Sequence, residues 1–171
     1  GLKYNARPDV LLVSLAEGTQ VAGFFTKSKT ASAPVKLCRE HVQNGKGRAL
    51  LVNAGNANAF TGKAGMDASL KCIKELSDKL NCEAEDVFVC STGVIGEELK
   101  PQEITRHFSD LIANLSEDGW QDGARAIMTT DTFPKSSSRT IKTAQGPVTL
   151  TGIAKGSGMI APDMATTLTY I

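Results

Sequence analysis

The chain has 171 residues, of which 41% are hydrophobic, 22% charged and only 5% aromatic, and its formal net charge is +1. That is an ordinary globular composition, long enough to bury a core as one domain or most of one. The near-neutral balance gives no electrostatic footprint for nucleic acid, and no apolar run reaches the length of a membrane span.

Asp9 to Leu15 and Gln20 to Thr26 read as two strands joined by the turn-like Ala16-Glu17-Gly18-Thr19. Pro34 to Val42 reads as a short helix opened by proline. Arg48 to Asn53 is a further strand, running into a glycine- and asparagine-rich loop from Asn53 to Gly62. Met66, Leu70, Ile73, Leu76 and Leu80 recur at helical spacing and predict an amphipathic helix. Val87 to Cys90 is a short buried strand that empties into Ser91-Thr92-Gly93. Pro101 opens a second helix, with Ile104, Phe108, Leu111, Ile112 and Leu115 on one face. Trp120 to Met128 is a shorter one, ending in Thr129-Thr130-Asp131-Thr132. Arg139 to Thr143 and Val148 to Ala154 form a hairpin across Ala144 to Pro147. The chain then runs through Lys155-Gly156-Ser157-Gly158 to Ile171 and stops inside an apolar, strand-like stretch, as a piece of a longer polypeptide would.

Alternating strands and helices indicate an α/β or α+β protein without repeats or interdomain linkers. Three segments share one character: Gly, Asn, Thr or Ser directly after an apolar strand, following Val52, Cys90 and Ala154. In layered α/β folds such strand ends are where ligands gather.

Several chemistries fall away on spacing. Six residues separate Gly55 from Gly62, where a P-loop has four, and Ala64 follows Lys63 where a magnesium-binding hydroxyl is needed. The loop reads instead as a tight connection whose Asn side chains bond their own backbone. Cys38, Cys72, Cys82 and Cys90 form no CxxC pair, and His41 and His107 are not at zinc-ligand spacing, so no metal is expected. The thiols read as reduced and partly buried, as in a cytoplasmic protein. The histidines read as surface or helix residues.

Two candidates remain. Ser91-Thr92-Gly93 can present a hydroxyl and a backbone N–H in one direction, as an oxyanion requires, although the tripeptide is also common in turns. Thr166 is the sharper one. A threonine hydroxyl needs an adjacent base. If the Ala165–Thr166 bond is broken, Thr166 gains a free α-amine, with an unperturbed pKa of about 7.7–8.0, within reach of its own hydroxyl. The small Ala165 leaves room for that hydroxyl to attack the preceding carbonyl. On the residues alone, Ala165-Thr166-Thr167 also reads as an ordinary strand start.

The run from Lys155 to Leu168, KGSGMIAPDMATTL, resembles the self-cleavage motif of the ornithine acetyltransferase family, also called glutamate N-acetyltransferases or ArgJ proteins. Asn53 to Gly62 (NAGNANAFTG), Ser91 to Gly96 (STGVIG), Ala126 to Thr132 (AIMTTDT), and Phe25-Thr26 followed by Ala33-Pro34-Val35 are similar to its other signatures in the same order. The resemblance covers nearly all of residues 1–171, as the α chain plus the first residues of the β chain.

The resemblance implies a single α-chain domain of an autoprocessed precursor, cut between residues 165 and 166, in a layered αββα sandwich completed by the β chain, commonly as an α2β2 heterotetramer. It implies Thr166 as the autoproteolytic and catalytic nucleophile. The acetyl group of N2-acetylornithine would pass through an acetyl-threonine to glutamate, in arginine biosynthesis. Thr92 and Gly93 would form the oxyanion hole, and Thr129, Lys155 and Thr166 would contact substrate. No cofactor or metal is implied. Some members also use acetyl-CoA, so acetyl-CoA is carried as a second donor. The expected location is the cytoplasm, with no membrane or nucleic-acid partner. A mature α chain would end at Ala165, whereas this one continues to Ile171. Thr167, where bulkier apolar residues are common in the family, stands as the alternative nucleophile. An autoprocessed N-terminal-nucleophile aminopeptidase, or a non-catalytic binding or assembly subunit, is the alternative function.

Overall fold

A computed structural model describes residues 3, 4, 7–157 and 167–171. The first sheet is built from β1 (Val10–Ser14), β2 (Ala49–Asn56) and β3 (Val87–Val94), in that order, with β1 antiparallel and β3 parallel to β2. The second is built from β4 (Lys135–Thr143), β5 (Gly146–Lys155) and β6 (Leu168–Tyr170), all antiparallel.

Strand alternation sends the two faces of the first sheet into different cores. Leu12, Ala49, Leu51, Val87 and Val89 face the helices and pack with Leu37, Cys72, Ile73, Leu76, Ile104 and Phe108. These come from α1 (Ala33–His41), α2 (Gly62–Leu80), α3 (Pro101–Thr105) and α4 (Phe108–Ala113). On the other face, Val52 packs with Ile153 of β5 and with Ala124 and Ile127 at α5 (Trp120–Ala126), flanked by Leu11, Leu50, Cys90, Leu168 and Tyr170. The second core therefore lies between the sheets. Helix, sheet and sheet are three layers of the expected α/β sandwich, and β4 and β5 carry Ile141, Val148 and Leu150 exposed.

The edge of β3 is closed by side chains of α1. Cys38 Sγ donates to the Val89 carbonyl at 3.1 Å, and His41 Nδ1 meets the Val87 carbonyl at 2.9 Å. A carbonyl only accepts, so Nδ1 carries the hydrogen. Residues three apart on a helix face thus serve carbonyls two apart on a strand edge that would otherwise be orphaned. His41 is a buried helix residue whose polarity is spent on this edge. All four cysteines are free thiols; Cys38 and Cys72 are buried, and burial pushes the Cys72 thiol up to about 12.

Several boundaries differ from the sequence expectation. Gln20 to Thr26 is not a strand: Gln20 makes one bridge to Lys46, Val21 N donates to Gly45 O, and Phe24 is exposed. An apolar run becomes a strand only with a neighbour to pair with, and beyond Val21 this one has none among the described residues. The helix opened by Pro101 breaks between Thr105 and Phe108 into α3 and α4. In α2 the buried face is Ala68, Ser69, Cys72, Ile73 and Leu76, while Leu70 is 45% exposed. Small Ser and Cys hold positions that counting large apolar residues assigned to Leu70. The hairpin is longer than expected: Lys135 to Ser138 also pair with β5, joined at Ser138–Thr151 by a hydroxyl pair at 2.9 Å, and a second hydroxyl pair, Thr140–Thr149 at 2.9 Å, lies within the expected part.

Candidate active site

The parallel pairing of β2 and β3 sets their carboxyl ends side by side, with Asn53 opposite Ser91, Ala54 opposite Thr92 and Gly55 opposite Gly93. Ser91-Thr92-Gly93 therefore belongs to β3 itself and not to a loop after it, as its sequence had suggested. Ser91 Oγ donates to Asn53 Oδ1 at 2.6 Å, and Asn53 Nδ2 donates to Asn56 O at 2.9 Å. These bonds hold the strand ends where the ladder is interrupted by a register shift at Gly55 and Asn56.

The third strand end arrives from the other sheet. Lys155, last residue of β5, is 5% exposed, and its Nζ donates to Thr129 Oγ1 at 2.7 Å and to Thr92 Oγ1 at 3.1 Å. The structure thus joins Lys155, Thr92 and Thr129, residues far apart in sequence, through one ammonium, with Gly93 adjacent in the chain. Because both hydroxyl oxygens accept from Lys155, each keeps its own hydrogen to donate elsewhere. Burial lowers the Lys155 pKa, Asp131 draws it back up, and Lys135 lowers it further.

Ala165 and Thr166, the expected cleavage bond and nucleophile, lie outside the described residues. Thr167 and Leu168, which follow them, are described. Leu168 pairs with Lys155 in the β5–β6 ladder, and a Cβ built on Gly156 would stand 3.6 Å from Thr167 Oγ1. Thr167 is exposed.

Two residues at the site were missed by sequence reasoning. Asp131 is buried and accepts from Lys135 Nζ at 2.6 Å, Gly156 N at 2.8 Å and Thr129 N at 3.2 Å. Burial alone would raise its pKa, but these bonds and the Lys135 charge together hold it at about 2. Arg7 Nη2 donates to the Thr129 carbonyl at 3.2 Å, and the guanidinium lies 4.0 Å from the centre of the Tyr4 ring. The usable signal was an aspartate inside a threonine run, four residues before a lysine.

The loop rejected as a P-loop is an asparagine-stitched helix entry. Asn58 N donates to Asn56 Oδ1 at 2.7 Å, and Asn58 Nδ2 donates to Gly65 O and Ser69 Oγ, both at 2.9 Å. Among the described residues no group of His, Cys, Asp and Glu is arranged to hold a metal ion, and no helix is long and apolar enough to cross a membrane. A surface groove lined by Gly18, Gln20, Val21 and Lys46 shares no residue with the Lys155 cluster.

Two half-buried hydroxyls gathered on a buried lysine, where the ends of the two sheets meet, make a polar cluster suited to a small molecule. The family model for the ArgJ family matches residues 1–171, and the chain belongs to that family. It is 51% identical over its whole length to the arginine biosynthesis bifunctional protein ArgJ of Gluconobacter oxydans, covering 40% of that protein. It is 50% identical to the ArgJ of Mesorhizobium japonicum, covering 41% of it. The chain thus spans about two fifths of the length of these relatives. Its fold matches the crystal structure of ArgJ from Bacillus halodurans with a TM-score of 0.86 at 34% identity, covering 95% of this chain and 85% of that one. It matches the ornithine acetyltransferase of Mycobacterium tuberculosis, solved with ornithine, with a TM-score of 0.86 at 32% identity, covering 95% and 87%.

Proposed function

We propose that the full-length protein is an acetyltransferase of arginine biosynthesis that moves the acetyl group of N2-acetylornithine to glutamate through an acetyl-Thr166 intermediate. The observation that carries this reading is the Lys155 ammonium on the Thr92 and Thr129 hydroxyls. The family resemblance assigned those residues to one site from three separated motifs, and they share one hydrogen-bonded cluster.

In this reading Thr166 Oγ first attacks the Ala165 carbonyl. An N-to-O acyl shift gives an ester that water hydrolyses, leaving one chain that ends at Ala165 and Thr166 with a free α-amine. That amine takes the hydroxyl proton as Oγ attacks the acetyl carbonyl. The negative charge on the tetrahedral oxygen is met by the Thr92 hydroxyl, whose hydrogen Lys155 leaves available, and by the Gly93 N–H. Collapse returns the proton to the departing amine, releasing ornithine and leaving the acetyl ester on Thr166. The amine of glutamate then attacks the ester in the mirror of the first half-reaction. Lys155 supplies the cation for an amino-acid carboxylate, and Thr129 contacts the substrate beside it. Thr166 is preferred to Thr167 because Ala165 precedes it as the motif requires.

The rest of the site would come from the β chain, in an α2β2 assembly. The exposed apolar residues of β4 and β5 and the exposed Ile171 fit a partner chain that extends this layer. The free thiols fit a cytoplasmic enzyme. Acetyl-CoA is the rival donor. An N-terminal-nucleophile aminopeptidase and a non-catalytic subunit are the competing readings.

The deciding experiment is an acetyl-transfer assay of the full-length precursor with N2-acetylornithine and glutamate, run beside acetyl-CoA and beside a peptide amide, together with intact mass. Transfer to glutamate and two fragments, one starting at Thr166, are expected. An active but uncut chain, or transfer persisting in Thr166→Ala, overturns the threonine mechanism.

A further inference from the structure

Three hydrogen bonds converge on the Asp131 carboxylate. Oδ1 accepts from Gly156 N at 2.8 Å and from Lys135 Nζ at 2.6 Å, and Oδ2 accepts from Thr129 N at 3.2 Å. Two of these donors flank the Lys155 contact. Thr129 carries the hydroxyl that Lys155 meets at 2.7 Å, and Gly156 is the residue after Lys155. One carboxylate therefore ties the backbone of the donor to the backbone of its acceptor, across two different chain segments. The side chain of Asp131 is 1% exposed, so water does not compete for these charge-assisted bonds.

The same carboxylate meets an electrostatic need. The Lys155 ammonium is buried against two neutral hydroxyls, and such an ammonium tends to lose its proton. Lys135, at the start of β4, adds a second cation to the neighbourhood. Asp131 is the negative charge that acts on both.

We propose that Asp131 is a positioning residue for acetyl transfer: by clamping the Thr129 and Gly156 amides together, it fixes the Lys155 ammonium on the hydroxyls of Thr92 and Thr129. This rests on the acetyl-transfer reading of the site. Asp131 touches neither substrate nor the reacting atoms; it acts through Lys155 and Thr129. Asparagine at this position keeps the size and one acceptor oxygen, but its NH2 group must face an N–H donor, so one side of the clamp opens.

The test is a double-mutant cycle in the full-length protein, with Asp131→Asn, Lys155→Met and the pair. A residue that acts through Lys155 gives non-additive losses. Asp131→Asn should lower kcat by about 10²-fold, the scale on which small misplacements act, while the pair should be no slower than Lys155→Met alone. Losses that multiply in the pair, or wild-type turnover in a folded Asp131→Asn, overturn the proposal. If Asp131→Asn does not fold, Asp131→Glu carries the same cycle, since it keeps the charge and displaces the carboxylate by one methylene. A second readout separates this proposal from the reaction itself. The Cε resonance of Lys155, followed by NMR against pH, should titrate lower in Asp131→Asn than in the wild type whether or not the enzyme transfers acetyl groups. An unmoved titration counts against Asp131. An inactive wild type with the moved titration counts against the acetyl-transfer reading alone.

Discussion

Gly93 stands opposite Gly55 in the parallel pairing of β2 and β3, so close that a Cβ on Gly93 would come within 2.6 Å of Gly55 Cα and of Asn56 N. Gly93 also has φ +134°, a conformation that side chains rarely adopt. Both constraints fall on the residue whose N–H is assigned to the oxyanion. Gly93→Ala should therefore destabilise the fold by about 1–3 kcal/mol from backbone strain, with overlap added to it. It should also abolish most acetyl transfer in the fraction that remains folded. Gly146→Ala is the control, because Gly146 has φ +119° but nothing within 4 Å of its would-be Cβ. That variant should show strain in urea unfolding and retain its kcat. Equal activity losses in the two would remove Gly93 from the site.

Thr92 is tested by shape and by hydroxyl separately. Thr92→Val keeps the β-branched outline that suits β3, deletes the proposed oxyanion donor, and leaves Lys155 with one hydroxyl partner. The expected fall in kcat is about 10²–10³-fold, the range for losing one such donor. Thr92→Ser restores the hydroxyl and should recover most of the rate. Steady-state kinetics on both half-reactions check this. A valine variant running at the wild-type rate would return Thr92 to the status of a strand residue.

The elements with local signals were legible in the sequence: β1, α1, β2, α2 and the hairpin lie where apolar runs, helical spacing, the proline of α1 and the turn residues put them, to within a few residues. What failed did so for tertiary reasons. Gln20 to Thr26 has the apolar and aromatic content of a strand but, among the described residues, no partner beyond the Gln20–Lys46 bridge and the Val21–Gly45 hydrogen bond. Ser91 to Gly93 has the composition of a turn, yet the register with Asn53 to Gly55 keeps it in the sheet. For the site, the residues themselves offered only a threonine and a weak tripeptide. Lys155, Thr129 and their connection to Thr92 came from motif resemblance, and the side chains meet only because the ends of β2, β3 and β5 do. Asp131 left one signal, its place in a threonine run four residues before Lys135, but two of its three donors are backbone amides, which no motif displays.

Asn58 separates stability from chemistry. It is fully buried at φ 46°, a left-handed conformation that asparagine tolerates. Its Nδ2 donates to Gly65 O and Ser69 Oγ, and its Oδ1 accepts from Thr61 Oγ1 at 2.8 Å. Asn58→Ala leaves those groups unpartnered at the start of α2, at a cost of about 1–3 kcal/mol for the buried polar groups left unsatisfied. Asn58→Asp should cost more, since a carboxylate cannot donate to Gly65 O. Denaturant midpoints check the ranking. Once corrected for folded fraction, kcat should be unchanged in both, because the hydrogen bonds of Asn58 run to Asn56, Thr61, Gly65 and Ser69 and not to Lys155, Thr92 or Thr129.

Asp131 makes the fold acid-sensitive in a predictable window. Its carboxyl is held at about 2, against an ordinary value of 3.8. A carboxylate held below its ordinary value binds a proton more readily in the unfolded chain than in the folded one. Its stabilisation is therefore complete above the unfolded value and is lost as pH falls towards the folded value. The difference corresponds to about 2 kcal/mol at neutral pH. The gap in unfolding free energy between the wild type and Asp131→Asn should accordingly be level from about pH 7 to pH 5 and should close between about pH 4 and pH 2. Lys135→Met should show the same closure over a narrower span, because the Gly156 and Thr129 amides still hold the carboxylate when the lysine is gone. A gap that stays constant down to the acid limit would mean that the three donors do not hold Asp131 ionised.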